Sequence, residues 1–247
     1  MNEAWPSGYR LRHLREVDST NEEARRLATD GAATPLWILA DHQSNGRGRR
    51  GRAWQAPAGN LAATLLLRPE KPLAQCAQLS FVAALAAADM IAHFAPAAEV
   101  QLKWPNDVLA GKRKISGILL ESAGNFAARP DWVAVGVGVN LAAHPRDVEF
   151  PAISLAALGA EAPGPLEALA CLAVQWSRWY DIWEQRGFGP VRDAWLARAA
   201  GLGTRIRARL AGGEICGMFE GMDDGGALLL RENPARLRVI SAGEVFF

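Results

Sequence analysis

Seven residues carry the densest chemistry in the chain. Gly46-Arg47-Gly48-Arg49-Arg50-Gly51-Arg52 sets four guanidiniums among three glycines. A guanidinium keeps its proton at any ordinary pH, so these side chains cannot act as general bases. They can hold or stabilise negative charge, and their forked donors suit phosphate or carboxylate. The glycines let the backbone approach an anion and turn its amides toward it. The tract formally satisfies G-x-G-x-x-G, but the dinucleotide fingerprint must open a helix directly after a strand. Here it is followed by Ala53-Trp54-Gln55-Ala56-Pro57-Ala58-Gly59, which cannot carry a helix. A solvated Arg-rich loop or an RNA-binding module is the plainer alternative. The tract is short, however, and lacks the interleaved aromatics of a stacking platform.

A second cluster follows fifty residues later. In Lys103-Trp104-Pro105-Asn106-Asp107, Pro105 ends a strand and leaves Asn106 and Asp107 on a turn at its edge. Asn plus Asp on one turn could bind a magnesium-bridged phosphate, because hard cations take oxygen ligands. A simple Asx turn is the alternative. Lys114 then opens a strand, and alternation groups it with Ser116 and Ile118 on one face, at a strand end where ligands gather. The chain has four lysines against 23 arginines, and Lys103, Lys112 and Lys114 fall within twelve residues. Arginine would serve a solvated face equally well; lysine supplies a compact point charge with three donors. His13, His42, His93 and His144 match no nucleophile–base or metal-ligand spacing, and the Cys and His spacings offer no zinc site.

These segments, joined by Ser19-Thr20-Asn21, Trp54, Lys114-x-x-Gly117-Ile118-Leu119-x-Glu121 and Gly136-x-Gly138-x-Asn140, together resemble the biotin–protein ligase family over roughly residues 14–247. Each motif alone is weak; their order and spacing carry the resemblance. It implies an α+β fold: a mixed-sheet catalytic domain flanked by helices, of the class II synthetase-like biotin/lipoate ligase type, with a small C-terminal SH3-like β-barrel. It implies a two-step reaction in which the biotin carboxylate attacks the α-phosphate of MgATP to give biotinyl-5′-adenylate and pyrophosphate. A lysine of a biotin carboxyl carrier domain, part of a biotin-dependent carboxylase, then takes the biotinyl group and releases AMP. Biotin and ATP are substrates, and magnesium accompanies ATP.

By the same resemblance, Ser19, Thr20, Asn21 and Gln43 read the biotin head group, with Gly117 beside them. Arg47, Gly48 and Arg49 line biotin and phosphate, and the 46–52 loop orders over the adenylate. Lys114 bridges carboxylate and phosphate and, with Arg49, is the implied catalytic pair. Arg52, Trp54, Asn106 and Asn140 join Arg49 and Lys114 on the nucleotide side, and Asp107 is a candidate magnesium contact. The charge arithmetic agrees. Two unit charges at about 4 Å repel by roughly 4 kcal/mol at an effective dielectric of 20. Bringing a carboxylate to a polyphosphate therefore needs fixed cations. The main rival is a lipoate or octanoate ligase or transferase of related fold. Some family members carry an N-terminal helix-turn-helix and act as repressors. Only about a dozen residues precede the Asp18 region here, so no specific DNA binding is expected.

The elements that must position these residues can be read along the chain. Its 247 residues allow one large domain or a large domain with a small appendage. Half the residues are apolar and the net charge is +1, which argues against a general nucleic-acid coat and against disorder. Cys76, Cys171 and Cys216 are far apart and odd in number, which fits a reducing cytoplasm. The N-terminus lacks a leader pattern and no run reaches 18 uninterrupted apolar residues, so no membrane association is expected. Thr20 and Glu23 predict a capping box at the start of a helix. Strands are expected at 36–40, 61–67, 100–104, 115–121 and 132–139, with 106–114 as a loop or hairpin between the third and fourth. Helices are expected at 79–94, 166–186 and 190–199. Trp176, Trp179 and Trp183 follow helical spacing and read as core. Short strands separated by Gly/Asp turns fill 204–210, 214–222, 227–231 and 236–247. The division expected is 1–202 for the catalytic domain and 203–247 for the barrel. A homodimer is an option, since glycine-rich strands such as Trp132 to Val139 could pair across it.

Overall fold

The structure is a computed structural model that describes residues 5–55, 57–125, 128–146 and 148–247. Part of the N-terminal stretch read for a leader pattern (Met1 to Ala4) and Ala56 lie outside the described residues.

The elements run β1 (Arg10–Val17), α1 (Thr20–Thr29), β2 (Leu36–Gln43), β3 (Leu61–Leu67), α2 (Leu73–Cys76), α3 (Leu79–Phe94), β4 (Val100–Lys103), β5 (Asp107–Ala110), β6 (Arg113–Gly124) and β7 (Pro130–Val139). They continue through α4 (Pro165–Arg186), α5 (Phe188–Leu196), β8 (Arg205–Leu210), β9 (Gly213–Met222), β10 (Leu228–Asn233), β11 (Arg236–Ile240) and β12 (Glu244–Phe246). Seven strands make a mixed sheet in the order β1-β2-β3-β7-β6-β5-β4. Only β1 and β2 run parallel in it; the other neighbours are antiparallel.

Packing explains the placement. Every residue of β3 is buried, as expected of an apolar run covered on both faces. The 73–94 segment is apolar enough to cross a membrane by length and composition, yet two-thirds of it is buried inside the protein. It holds the short α2 and the core helix α3, which is wedged between the sheet and α4. Trp176 and Trp183 on α4 are fully buried. Trp179 donates to Asp89 Oδ2 at 2.7 Å, and Trp183 donates to Gln78 Oε1 at 2.8 Å, so all three serve packing.

Four features differ from expectation. The edge strand β1 is mostly exposed and heavily charged, so it carries almost none of the apolar periodicity by which strands are recognised. The capping box does not form: α1 begins at Thr20 itself, with Ser19 as N-cap and no side-chain cap bond. Glu23 turns instead to Arg26 and Arg12. In β6 a bulge opposite Val108 and Leu109 shifts the register between Lys114 and Ser116. Lys114 is thereby moved off the core face of Ser116 and Ile118 onto the face of Gly117, where its ammonium and terminal methylene lie within 3.3 Å of the Cβ position. Finally, β7 is paired on both sides, by β3 and β6, so this glycine-rich strand has no free edge to offer a second copy.

The last 43 residues contain a five-stranded antiparallel sheet, order β11-β10-β9-β8-β12. The segment expected as a single strand at 236–247 divides into β11 and β12, which lie at opposite edges. This sheet is seated on the main body through the turn after β9. Trp104 Nε1 donates to Gly226 O at 3.0 Å, and Gln78 Nε2 donates to Asp224 O at 3.2 Å. Gly226 has φ +91, and a Cβ there would stand 2.5 Å from the Phe81 ring. Only glycine permits that approach.

Candidate functional site

A cavity of about 300 Å³ opens on the sheet under the Arg-Gly tract. The tract is a small hairpin rather than the opening of a helix. Trp54 N donates to Gly46 O at 2.9 Å and Gly48 N to Arg52 O at 2.7 Å. Arg50 and Gly51 take left-handed conformations at its tip. Every residue named above as a site candidate lines this cavity.

Its floor is made by missing side chains. A Cβ on Gly136 would come within 2.3 Å of Asn21 Oδ1, and one on Gly138 within 2.3 Å of the Trp54 indole. Both belong to β7 in the middle of the sheet. Gly117 on β6 faces Trp54 and Lys114 in the same way, at 3.2 Å.

One end of the cavity is a hydrogen-bonded cluster at the start of α1. The Thr20 amide donates to Gln43 Oε1 at 2.8 Å, and its hydroxyl donates to the same oxygen at 3.1 Å. Gln43, from the end of β2, thus supplies the cap that the Thr20–Glu23 pair does not. Thr64 on β3 shares its hydroxyl proton between Asn21 Oδ1 at 2.6 Å and Thr20 Oγ1 at 2.8 Å. Asn21 Nδ2 donates to Glu121 Oε2 at 2.7 Å. Such a chain locks the rotamers around a small polar recess, with Ser19 buried at its edge. Thr64 is absent from the sequence reading. Its signal was a single hydroxyl inside the buried run Leu61 to Leu67, where a polar group must find partners.

The middle of the cavity is charged. Lys114 Nζ lies 2.6 Å from Asp107 Oδ1 and 5.7 Å from the Trp54 ring centre. Lys103 Nζ lies 3.8 Å from the other carboxylate oxygen of Asp107. Three arginines of the tract line the space. Arg47 pairs with Glu22 at 2.5 Å and Glu121 at 3.4 Å. Arg52 pairs with Glu244 of β12 at 2.7 Å. Arg49 donates to the amide oxygen of Asn106 at 3.1 Å, and Asn106 Nδ2 donates in turn to Ile118 O at 2.7 Å. Burial, then the neighbouring Arg50, lowers the Arg49 pKa from its ordinary value. Guanidinium starts so high that it stays charged. Arg49 is therefore the cation of the three held by an amide rather than a carboxylate, which leaves its charge available to an anion.

At the far end Asn60 Oδ1 accepts from the amides of Leu141, Ala142 and Ala143 at 3.0, 2.9 and 3.1 Å, which fixes the chain just after Asn140. Asn140 Nδ2 donates to Ile153 O at 3.0 Å, while its Oδ1 is buried with no hydrogen-bond partner. Trp54 Nε1 and Arg47 Nε are likewise buried without one. Unsatisfied buried polar atoms are costly, and three on one cavity fit a polar ligand. Glu244 and Phe246 bring the C-terminal sheet into the cavity wall, against Arg52 and Lys103.

Asp107, the expected magnesium contact, has its carboxylate flanked by two ammonium groups, Lys114 at 2.6 Å and Lys103 at 3.8 Å.

Comparison with known proteins agrees with this geometry. Residues 14–140 match the model of the Biotin/lipoate A/B protein ligase family, and residues 201–247 match that of the Biotin protein ligase C terminal domain. A Biotin--[acetyl-CoA-carboxylase] ligase of Paracoccus denitrificans is 49% identical over 95% of this chain and 99% of its own. A Bifunctional ligase/repressor BirA of Bacillus subtilis is 34% identical over 92% of this chain and 70% of its own. Among solved structures, a biotin protein ligase from Aquifex aeolicus in complex with biotin and ATP superposes with a TM-score of 0.80 at 28% identity, covering 96% of this chain and 97% of that one.

Proposed function

Since the chain belongs to the biotin protein ligase family, we propose that it is an ATP-dependent biotin–[acetyl-CoA-carboxylase] ligase. It joins the biotin carboxylate to the α-phosphate of ATP, with pyrophosphate leaving, and then passes the biotinyl group to a lysine amine of a biotin carboxyl carrier domain, with AMP leaving. The single observation that carries the reading is the shared cavity of the arginine tract and Lys114, over a floor of glycines.

The roles follow from the chemistry of each group. The recess of Ser19, Thr20, Asn21 and Gln43 has the donors and acceptors a ureido ring needs, and the N-terminus of α1 adds a favourable dipole for a carbonyl. Lys114 and Arg49 are the cations that offset repulsion as the carboxylate meets phosphorus, and their stabilisation grows as charge collects there. Arg47 is already neutralised by Glu22 and Glu121. Its part is to hold the tract down, with Gly48 allowing close approach. Asn140, Trp54, Asn106 and Arg52 form the nucleotide end. Asp107, in reach of both lysines, orients the incoming amine in the second step. Magnesium enters as part of the MgATP substrate, and no step is assigned to a metal held by this chain. The working location is the cytoplasm, where ATP and carboxylase carriers meet.

The test is ATP–pyrophosphate exchange with biotin or lipoate as the acid, followed by transfer of labelled biotin to a carrier domain. Exchange with biotin and transfer to the carrier are expected. Exchange with lipoate alone would move the chain to the lipoate branch, and exchange with neither would remove the reading.

A further inference from the structure

Lys103 is the one charged residue among the described residues that is buried, at 5% exposed. No role above uses it. Its ammonium sits 3.5 Å from the centre of the Phe150 ring and 5.4 Å from that of Phe246, two faces that attract a cation. Burial is the main influence on it and lowers its pKa, while Asp107 opposes the shift. A lysine held in so apolar a position needs a reason beyond solubility.

The reason lies in how one carboxylate is shared. Asp107 Oδ1 faces Lys114 at 2.6 Å, and Asp107 Oδ2 faces Lys103 at 3.8 Å. Lys114 is also the cation that the anionic substrate must recruit. An ammonium tied to a carboxylate at that distance is partly neutralised, so the substrate must compete with Asp107 for it. Lys103 cannot follow Lys114, because it is packed between two rings. It remains beside Asp107 whatever Lys114 does.

We infer that Lys103 is a positioning residue: it is the second counter-ion of Asp107, which allows that carboxylate to release Lys114 to the carboxylate and phosphate of the substrates. This rests on the function proposed above. Without Lys103, Asp107 would hold Lys114 more tightly, and once Lys114 left it would face the adenylate phosphate as an uncompensated charge. The effect passes through Asp107 alone, so it must vanish when Asp107 is neutral.

That dependence gives the experiment. Biotin-dependent ATP–pyrophosphate exchange is measured for the full-length wild type, K103M, D107N and K103M/D107N, with thermal unfolding recorded for each. Methionine matches the length of the stem and suits the two rings. K103M is expected to slow exchange about tenfold or more, and the double variant to exchange at the rate of D107N, because coupled residues are not additive. Exchange in K103M equal to wild type overturns the inference, and so does a double variant slower than D107N by the full K103M factor. If K103M does not fold, D107N against K103Q/D107N carries the same comparison: equal rates support the inference and a further loss overturns it. A wild type without biotin-dependent exchange would remove the proposed function itself, which distinguishes that failure from this one.

Discussion

At the scale of the residue, Lys114 is the sharpest point of the account. Its ammonium is placed by one bulge and held against Asp107 at 2.6 Å. Replacing it with alanine removes charge stabilisation that is greatest in the transition state. Lys114→Ala should cut biotin-dependent exchange by about a hundredfold or more, on the order of 3 kcal/mol, with little change in thermal stability. Equal exchange in the variant would deny the lysine its role. The chemistry of this residue was legible in the sequence because lysine is so rare here that three within twelve positions demand a local cause. Its direction was not legible. Strand alternation assigns it to the face of Ser116 and Ile118, and only the bulge turns it to the cavity. Thr64 was invisible for a related reason. One hydroxyl in an apolar strand has no spacing to read, and its partners on α1 arrive through tertiary packing. Lys103 stands inside a sequence motif, yet its two aromatic faces come from positions 150 and 246, far away in the chain.

At the scale of the element, the central strand β7 and helix α1 define the recess together. Gly136 is read from sequence only as part of a pattern, but its missing side chain is what admits Asn21. Gly136→Ala would put a Cβ within 2.3 Å of Asn21 Oδ1, so the amide must move. The KM for biotin should rise about tenfold or more while the KM for ATP stays within about twofold, because precise placement of polar groups decides recognition. Steady-state kinetics with each substrate varied would check this, and an equal rise in both would refute it. Helix α1 also carries a pH dependence. The Arg26 guanidinium, helped by the Ser19 amide, holds the Asp18 carboxyl down from 3.8 to about 2. A depressed folded-state pKa stabilises the fold above the ordinary value, and that gain is lost as pH falls through the folded one. The stability difference between wild type and Asp18→Asn should therefore be fully present above about pH 4 and shrink as pH falls toward about 2. Denaturant unfolding at a series of pH values measures it; a difference that grows on acidification would contradict the assignment. Strands and helices with clear apolar patterning, such as 61–67 and 79–94, were legible to the residue. The edge strand β1 was not, since an exposed, charged strand exists only by virtue of its neighbour β2.

At the scale of the whole molecule, the site is assembled from both sheets. The tract that roofs the cavity is tied through Arg52 to Glu244, the first residue of the last strand. Arg52 is 54% exposed on its side chain, so this pair adds little to global stability. Its value is positional, because it fixes the roof against the C-terminal sheet that lines the same cavity. Glu244→Gln should leave the unfolding free energy within about 1 kcal/mol of wild type. The same variant should shorten the retention of bound adenylate by severalfold, measured by release of labelled adenylate in a chase. Unchanged retention would show that the tract holds itself. Sequence composition marked the C-terminal sheet as a separate kind of segment. It could not show that this sheet reaches the cavity, since the contact joins residues almost two hundred positions apart.

In the proposed reaction the guanidinium of Arg49 and the ammonium of Lys114 meet on an acyl-phosphate. A crystal structure of the chain grown with biotin and MgATP tests it most directly. Biotinyl-5′-adenylate is expected beneath the Arg-Gly tract, with Lys114 Nζ and Arg49 both within hydrogen-bond distance of oxygens at the carboxyl–phosphate junction. An adenylate bound with Lys114 still turned to Asp107 and Arg49 still on Asn106 would contradict it.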